Sequence, residues 1–205
     1  MKELFIALLW ILWCALHSAL ITKTVTDYAK MKLGYQYRFY RLFFNIVSLV
    51  TLAPLLYYSV SCKGPLVFQW EGSLLIVKYL LLVMGIFLFV AGARHYSMSQ
   101  FFGIHQIKTG QTDHTLSESD TFDTSGILSV IRHPWYTGGI IIIWSSDIYL
   151  STLLNNIVVS AYFVIGSFLE ERKLLHDFGD KYREYQKHVS MLVPYKWLTR
   201  KGHLL

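Results

Sequence analysis

Charged side chains beside a long apolar stretch are the first candidates for chemistry in this sequence. Arg132 and His133 directly precede Pro134, which suits the first turn of a helix because its missing N–H is not needed there. A guanidinium and an imidazole at the electropositive start of a helix, with free backbone N–H groups beside them, would bind a carboxylate or a phosphate. The alternative is that Arg132 only anchors a span at the membrane surface.

Two adjacent carboxylates, Glu170 and Glu171, stand at the other end of the same apolar stretch. Adjacent side chains of a helix point in different directions, so one carboxylate can face a pocket while the other pairs with a base. A carboxylate here suits an amine, although a solvated helix end would carry the same residues. If the stretch folds as a hairpin, its two ends meet, and both charged pairs would face one zwitterionic ligand.

Other kinds of site have less support from the residue pattern. The eight histidines form no HExxH pair, and the two cysteines, Cys14 and Cys62, exclude a disulfide framework and a cysteine zinc site. We predict no metal site. His17 and His95 could bind haem from two spans, but hydrogen-bonded structural histidines are the more common case. The absence of a P-loop and of GxGxxG leaves a nucleotide-binding Rossmann domain without support.

The composition indicates which elements position these residues. Apolar residues make up 54% of the 205 residues and charged residues 16%, against about 45–50% and about 25% in soluble domains. This excess points to a membrane, and the net charge of +6 is interpreted as loop charge, with no nucleic-acid partner. Three spans are predicted at 4–21, at 43–60 with Pro54 inside, and at 74–93, where Lys78 can extend to the interface.

The last apolar region, residues 138–169, is too long for one ordinary span. Polar residues cluster at 145–147 and again at 155–156, which predicts a hairpin of two helices at about 136–151 and 155–170. Both arms are short for a crossing, so tilt or local thinning of the bilayer is expected. The predicted fold class is therefore an all-α polytopic membrane protein with about five transmembrane helices, the last two forming a hairpin. We predict one domain, with the three N-terminal spans in 1–95 and both charged pairs in 96–205.

The distribution of basic residues gives an orientation for five spans. Sixteen Lys and Arg residues fall in 22–41, 94–135 and the tail from 171, whereas Lys2 and Lys63 are the two on the other side. Basic loops face the cytoplasm. We therefore predict a multi-pass protein of the inner membrane, with its N-terminus outside and its tail in the cytoplasm.

The tail after the hairpin is predicted to be helical. Apolar residues recur at three- and four-residue steps from 174 to 192, as one face of a helix requires. Gly179 and Asp180 indicate a stop and a new N-cap, which gives amphipathic helices at 170–178 and 181–190. Their apolar face lies either on the bilayer surface or over a site at the membrane boundary. Residues 108–125 are predicted to form a polar loop.

Two segments resemble a known family. Residues 126–138, GILSVIRHPWYTG, resemble the G-x-x-x-x-x-R-H-P-x-Y-x-G motif of the isoprenylcysteine carboxyl methyltransferase superfamily. Residues 170–185, EERKLLHDFGDKYREY, with Val189 and Pro194, resemble the tail motif of that superfamily. The segments at 102–106 and 190–194 are most similar to its methanethiol S-methyltransferase-like branch.

The resemblance implies an integral-membrane enzyme that uses S-adenosylmethionine as methyl donor. By analogy with the family, the donor carboxylate would meet Arg132 and His133, and its amine Glu170 or Glu171. The aromatic candidates for contact with the adenine or the sulfonium are Trp135, Tyr136 and Tyr182. The predicted catalytic residues are Arg132, Glu171 and His105. The predicted cofactor-binding residues are His105, Gln106, Gly126, Arg132, His133, Pro134, Tyr136, Glu170, Glu171 and Tyr182.

The resemblance leaves the acceptor open. A small or lipophilic thiol that enters from the bilayer is the first expectation, with a carboxylate O-methyltransferase or a phospholipid amine N-methyltransferase as alternatives. A non-enzymatic membrane protein that binds haem or transports a solute is the alternative from a different class. The sequence does not indicate an oligomeric state.

Overall fold

The computed structural model describes residues 2–110 and 122–200, and of residue 200 only the backbone. Most of the predicted polar loop, residues 111–121, lies outside this part of the chain. In chain order the elements are α1 (Lys2–Ile21), α2 (Lys23–Leu33), a 3-10 helix (Gly34–Phe39), α3 (Tyr40–Ser61), β1 (Leu66–Phe68), α4 (Leu74–Ala93), α5 (Met98–Phe101), α6 (Ile104–Thr109), a second 3-10 helix (Gly126–Ser129), α7 (Pro134–Trp144), β2 (Ile148–Tyr149), α8 (Leu150–Phe178), α9 (Asp180–His188) and α10 (Tyr195–Arg200).

The chain divides into two compact units. The first comprises the described parts of 1–67, 96–118 and 148–159, and the second those of 68–95, 119–147 and 160–205. In the first unit, Ile6 and Trp10 of α1 pack with Leu55 of α3. The indole of Trp10 donates to Ser59 Oγ at 3.1 Å, so its polar edge has a partner inside an apolar interface.

The three N-terminal spans were predicted closely. The sequence placed them at 4–21, 43–60 and 74–93, and the structure has α1, α3 and α4 at Lys2–Ile21, Tyr40–Ser61 and Leu74–Ala93, with Pro54 inside α3. Long, mainly apolar runs leave few alternatives to a helix. The short helix α2 and the 3-10 helix after it were not predicted.

In the second unit, α4 and α7 lie antiparallel in close contact. A Cβ on Gly85 would stand 3.1 Å from the Gly138 carbonyl oxygen, and one on Gly92 would stand 2.7 Å from the ring of Trp135. At the opposite end, Lys78 Nζ is 3.1 Å from Asp147 Oδ1. Lys78 is therefore paired with a carboxylate, a partner that the sequence analysis did not predict.

The hairpin is present, but its turn and its second arm differ from the prediction. The turn lies at 145–149, where Ser145 and Ser146 donate to the Ile141 and Ile143 carbonyls and end α7. Asn155 and Asn156, which the sequence suggested as part of the turn, lie inside α8, where both are buried. The second arm therefore starts at Leu150, not 155, and α8 runs to Phe178, through the end of the predicted arm and through the predicted helix at 170–178.

Four helical segments of the described chain are long and apolar enough to cross a membrane, namely Lys2–Ile21, Lys23–Ser61, Leu74–Ala93 and Leu150–Phe178. The protein is mainly helical, with a two-stranded sheet of β1 and β2 that was not predicted. With 11 residues, α7 is shorter than these segments, so the predicted count of five is not confirmed.

Candidate functional site

The two charged pairs meet in the second unit. Arg132 Nε donates to Glu171 Oε1 at 2.6 Å, and both side chains are almost fully buried. The imidazole of His133 lies between the two carboxylates, with Nε2 3.2 Å from Glu171 Oε1 and Nδ1 3.8 Å from Glu170 Oε2. The hairpin geometry predicted this convergence, because α7 begins where α8 returns. We call these four residues the Arg132 cluster.

The two glutamates have different surroundings. Glu171 is 6% exposed, and its Oε2 accepts a hydrogen bond from Gln186 at 2.8 Å. Glu170 is more accessible, with 34% of its side chain exposed, and it accepts the hydroxyl of Tyr136 at 2.9 Å. Glu171 therefore acts as the buried counter-ion of Arg132, while Glu170 retains a surface on which a ligand could bind.

The C-terminal segment closes over Arg132. Its Nη1 donates to the carbonyls of Gln186 and Val189, and the backbone N–H groups of Arg132 and His133 donate to the Ser190 and Met191 carbonyls at 2.9 and 3.1 Å. The sequence analysis expected free N–H groups beside Arg132 and His133, but it did not foresee that the N–H groups of these two residues pair with the tail. Buried backbone donors need partners, and the parallel bridge between Ile131 and Ser190 supplies them.

Helix α9 packs its apolar side against this cluster. Tyr182 is 2% exposed, and its hydroxyl lies 3.5 Å from Glu171 Oε1. Burial, with the nearby Glu171 charge, raises the pKa of Tyr182 well above its usual value, and burial likewise raises the pKa of Tyr185. Both hydroxyls are therefore protonated donors. Of the two placements left open for the tail, the structure shows packing over the cluster.

Aromatic residues of the motif divide between two roles. Tyr136 stacks on His133, with ring centroids 5.5 Å apart, and also on Phe163. Trp135 instead stacks on Phe89 of α4 and donates from its indole to the Phe89 carbonyl at 2.7 Å. Tyr136 therefore packs against the Arg132 cluster, whereas Trp135, with Pro134, serves the contact between α4 and α7.

The remaining predicted residues lie elsewhere. Gly126 has a φ of +54° and lies against the ring of His95, a neighbour that the sequence analysis did not connect with it. His105 and Gln106 are on α6 in the first unit. Gln106 Oε1 is buried without a hydrogen-bond partner among the described residues. The roles of these residues in binding stay predictions.

Some features of the site could not be read from the motifs. Gln186 lies outside the positions that carry the resemblance, yet it contacts Glu171. The bridge between Ile131 and Ser190 joins residues far apart in the chain, and only the period of the tail hinted that it packs inward. Asp180 is the first residue of α9 and not its N-cap, which is Gly179. Across the described ranges, no group of three or more His, Cys, Asp or Glu side chains could hold a metal ion.

Known proteins show which families contain similar chains. A Methanethiol S-methyltransferase 1 from Bradyrhizobium diazoefficiens is 37% identical over 101 residues, which is 47% of this chain and 34% of that protein. A Methanethiol S-methyltransferase from Pseudomonas deceptionensis is 37% identical over 75 residues, 36% of this chain and 29% of that protein. A Protein-S-isoprenylcysteine O-methyltransferase from Schizosaccharomyces pombe is 35% identical over 77 residues, 35% of this chain and 32% of that protein.

These relatives confirm the resemblance to the isoprenylcysteine carboxyl methyltransferase superfamily and to its methanethiol S-methyltransferase-like branch. The chain spans about a third of the length of these curated relatives. No solved structure matches the chain significantly. The family described as "NnrU protein" matches residues 4–175, which is most of the sequence, and the chain therefore belongs to the NnrU protein family.

Proposed function

We propose that the protein is an integral-membrane methyltransferase that moves a methyl group from S-adenosylmethionine to a small or lipophilic thiol. One observation carries this proposal. A guanidinium and an imidazole contact two carboxylates in one cluster, in a chain similar to thiol and isoprenylcysteine methyltransferases. The activity of the relatives suggests the reaction class, and the cluster suggests where the amino-acid end of the donor would bind.

The chemistry of the cluster fits a zwitterion. Arg132 uses Nε and Nη1 within the protein, and its Nη2 makes no hydrogen bond within the described chain. That nitrogen is the donor left for a ligand carboxylate. The exposed side of Glu170 would take the amine, and the ring of Tyr136 beside it would face the rest of the ligand. S-adenosylmethionine, when bound, supplies an electrophilic methyl group on a sulfonium.

The residues of the cluster have mainly a positioning role in this proposal. Displacement at carbon needs the two reacting atoms about 3–3.5 Å apart and in line, and it needs no covalent nucleophile. The Glu171 carboxylate fixes the guanidinium plane of Arg132, and α9 excludes water from that side. Gly126, His133 and Tyr182 complete the proposed donor site in the second unit by analogy with the family. The same analogy implies a role in cofactor binding for His105 and Gln106.

We further propose that α7 is a fifth crossing, which places the cluster on the cytoplasmic side and the N-terminus outside. Its contacts follow α4 from Gly92 at one end to Lys78 near the other, a length of about 21 Å at 1.5 Å per residue. The indole of Trp70, before α4 begins, also donates to the Ser146 carbonyl at 3.0 Å. A short helix can cross where the bilayer is thinned.

The proposal is tested by methyl transfer in detergent or nanodiscs with isotopically labelled S-adenosylmethionine. The acceptor panel holds an alkyl thiol, an isoprenylated cysteine with a free carboxylate, and a phosphatidylethanolamine. Labelled thioether from the thiol is the expected product. A labelled ester in its place would show that the acceptor is a carboxylate, and a labelled methylated amine would show that it is a phospholipid amine. A folded protein that labels none of the three would contradict the proposal, and a haem absorbance band in that protein would favour the non-enzymatic alternative.

A further inference from the structure

A second pair of titratable side chains lies outside the Arg132 cluster, just after α4. His95 Nδ1 is 2.5 Å from Asp123 Oδ2, and 14% of the histidine side chain is exposed. Asp123 is itself fixed, because its Oδ1 accepts the Ser125 N–H at 2.8 Å. That hydrogen bond and the one to His95 lower the pKa of Asp123 to about 2, so the carboxylate is ionised at neutral pH. A carboxylate that orients a histidine in this way favours proton transfer at the other ring nitrogen.

The other nitrogen, Nε2, is available for a ligand. No described residue forms a hydrogen bond with it, and it is not among the fully buried atoms. It would lie 3.1 Å from a Cβ on Gly126. Because Gly126 has no side chain, the imidazole can rest directly against the start of the motif segment, and any larger residue there would displace it.

The pair is connected to the proposed donor site by direct packing. Phe122, next to Asp123, packs against the rings of Tyr182 and Tyr185 with centroids 5.4 and 5.5 Å apart. Tyr182 in turn contacts Glu171. Gly92, three residues before His95, lies against Trp135. The pair and the Arg132 cluster therefore belong to the same end of the second unit.

We propose that His95, oriented by Asp123, accepts the proton of the thiol that is methylated. This inference rests on the proposed function. The S–H bond of the acceptor breaks and its proton moves to Nε2, where the Asp123 carboxylate stabilises the resulting imidazolium. The thiolate sulfur, the reactive form, then forms a bond to the methyl carbon as the bond from that carbon to the sulfonium sulfur breaks. Two neutral thioethers result. His95 is the catalytic residue and Asp123 the positioning residue.

Two substitutions at the pair, with one control elsewhere, separate this role from a purely structural one. In His95→Asn the amide N–H₂ takes the place of Nδ1–H and can still donate to Asp123, but no base remains at the position of Nε2. Asp123→Asn keeps the size of the side chain and removes the charge that stabilises an imidazolium. His176→Asn is the matched control, because His176 also pairs with an aspartate, Asp177, at 3.1 Å, but is 89% exposed.

The experiment compares two acceptors at one mildly alkaline pH, an alkyl thiol that is mainly protonated and an aromatic thiol that is already thiolate. We expect His95→Asn to lower kcat/KM for the alkyl thiol by about a hundredfold and to leave the aromatic thiol within about threefold. Asp123→Asn should lower the alkyl rate less, and His176→Asn should change neither rate. Binding of S-adenosylhomocysteine and the unfolding temperature should be unchanged in His95→Asn.

The outcomes distinguish the inference from the function on which it rests. Wild-type protein that methylates no acceptor would contradict the proposed function itself. Active wild type with an unchanged alkyl rate in His95→Asn would overturn the inference alone. If His95→Asn lowers kcat/KM equally for both thiols, or loses S-adenosylhomocysteine binding, the pair only supports the fold. Either result would also overturn the inference.

Discussion

At the scale of single residues, the Arg132 cluster is a buried network in which each charge depends on another. Glu171 receives hydrogen bonds from Arg132 and Gln186 while almost excluded from water. The attraction between buried opposite charges is offset by their desolvation, but the loss of one partner leaves the other uncompensated. Stability and ligand binding therefore depend on the same few atoms.

Replacing Glu171 by Gln should lower the free energy of unfolding in detergent by about 3 kcal/mol, because Arg132 then stays buried without a counter-ion. Combining Arg132→Met with Glu171→Leu should lower it less than either single change, since no charge is then unpaired. Thermal or denaturant unfolding of the single and double variants measures this. Glu184→Gln, at an exposed ion pair on α9, is the control and should stay within about 0.5 kcal/mol. If the double variant loses as much free energy of unfolding as the two single variants do together, the network is refuted.

The sequence predicted that the two charged pairs meet, but it did not predict which side chains pair with each other. The charges of Arg132 and Glu171 at the ends of one apolar stretch, with a hairpin between, were enough to bring them together. Which carboxylate is buried depends on the rotation of α8, and no local signal at two adjacent glutamates determines that. The contact of His95 with Asp123 joins residues of unremarkable context, and only the structure shows it.

At the scale of elements, the contact between α4 and α7 depends on the absence of side chains. A Cβ on Gly138 would stand 2.7 Å from the Gly85 carbonyl oxygen and 3.2 Å from the Phe89 backbone nitrogen. Backbone atoms cannot move aside as a side-chain end can, so the helices would have to separate. Small residues allow such close approach of membrane helices.

Gly138→Ala should therefore destabilise the protein by about 1–3 kcal/mol, measured as unfolding in detergent. Gly166→Ala is the matched control on α8, because its nearest neighbour would be the Tyr136 hydroxyl at 4.0 Å. There the better helix propensity of alanine, worth up to about 1 kcal/mol, should leave stability equal or slightly higher. Equal effects of the two substitutions would contradict close packing at Gly138.

The segment at 122–125 should respond to acid. The pKa of Asp123 is lowered from 3.8 to about 2, first by the Ser125 N–H and then by His95. A depressed pKa stabilises the folded state above the unfolded pKa, and this contribution is lost as the pH falls through the folded value. Amide exchange at Ser125, corrected for the intrinsic rate, should accelerate between about pH 4 and pH 2. In Asp123→Asn the amide oxygen can still accept this hydrogen bond but does not titrate, so the corrected exchange rate should not change over this range. A wild-type rate that stays constant over this range would contradict the hydrogen bond.

Elements were predicted well where one physical signal dominates and poorly where two compete. Long, mainly apolar runs gave the ends of α1, α3 and α4 to within three residues. In the hairpin, the asparagines at 155–156 suggested a turn, but burial of both side chains within α8 overrides that preference. The turn formed at Ser145 and Ser146, whose hydroxyls cap carbonyls of α7.

At the scale of the whole molecule, the number of crossings decides on which side of the membrane the tail lies. Four helical segments meet the length for a span, and α7 decides between an even and an odd total. An odd total places the basic segments together on one side, in agreement with the positive-inside rule. An even total would place the tail on the same side as Lys63.

Labelling of single cysteines separates these topologies. In a background with Cys14→Ser and Cys62→Ser, we expect Lys63→Cys to react with an impermeant maleimide on intact cells. Lys187→Cys should react only after permeabilisation, because five crossings place α9 in the cytoplasm. Reaction of both sites on intact cells would show that α7 does not cross.

The central claim is that the Arg132 cluster binds the amino-acid end of the methyl donor, and calorimetry with S-adenosylhomocysteine tests it most directly. Wild-type protein and Glu184→Gln should bind equally. Glu170→Gln, which removes the exposed carboxylate proposed for the amine, should bind about ten- to a hundredfold more weakly with an unchanged unfolding temperature. Folded wild-type protein that does not bind, or Glu170→Gln and Arg132→Lys that both bind as wild type does, would contradict the claim.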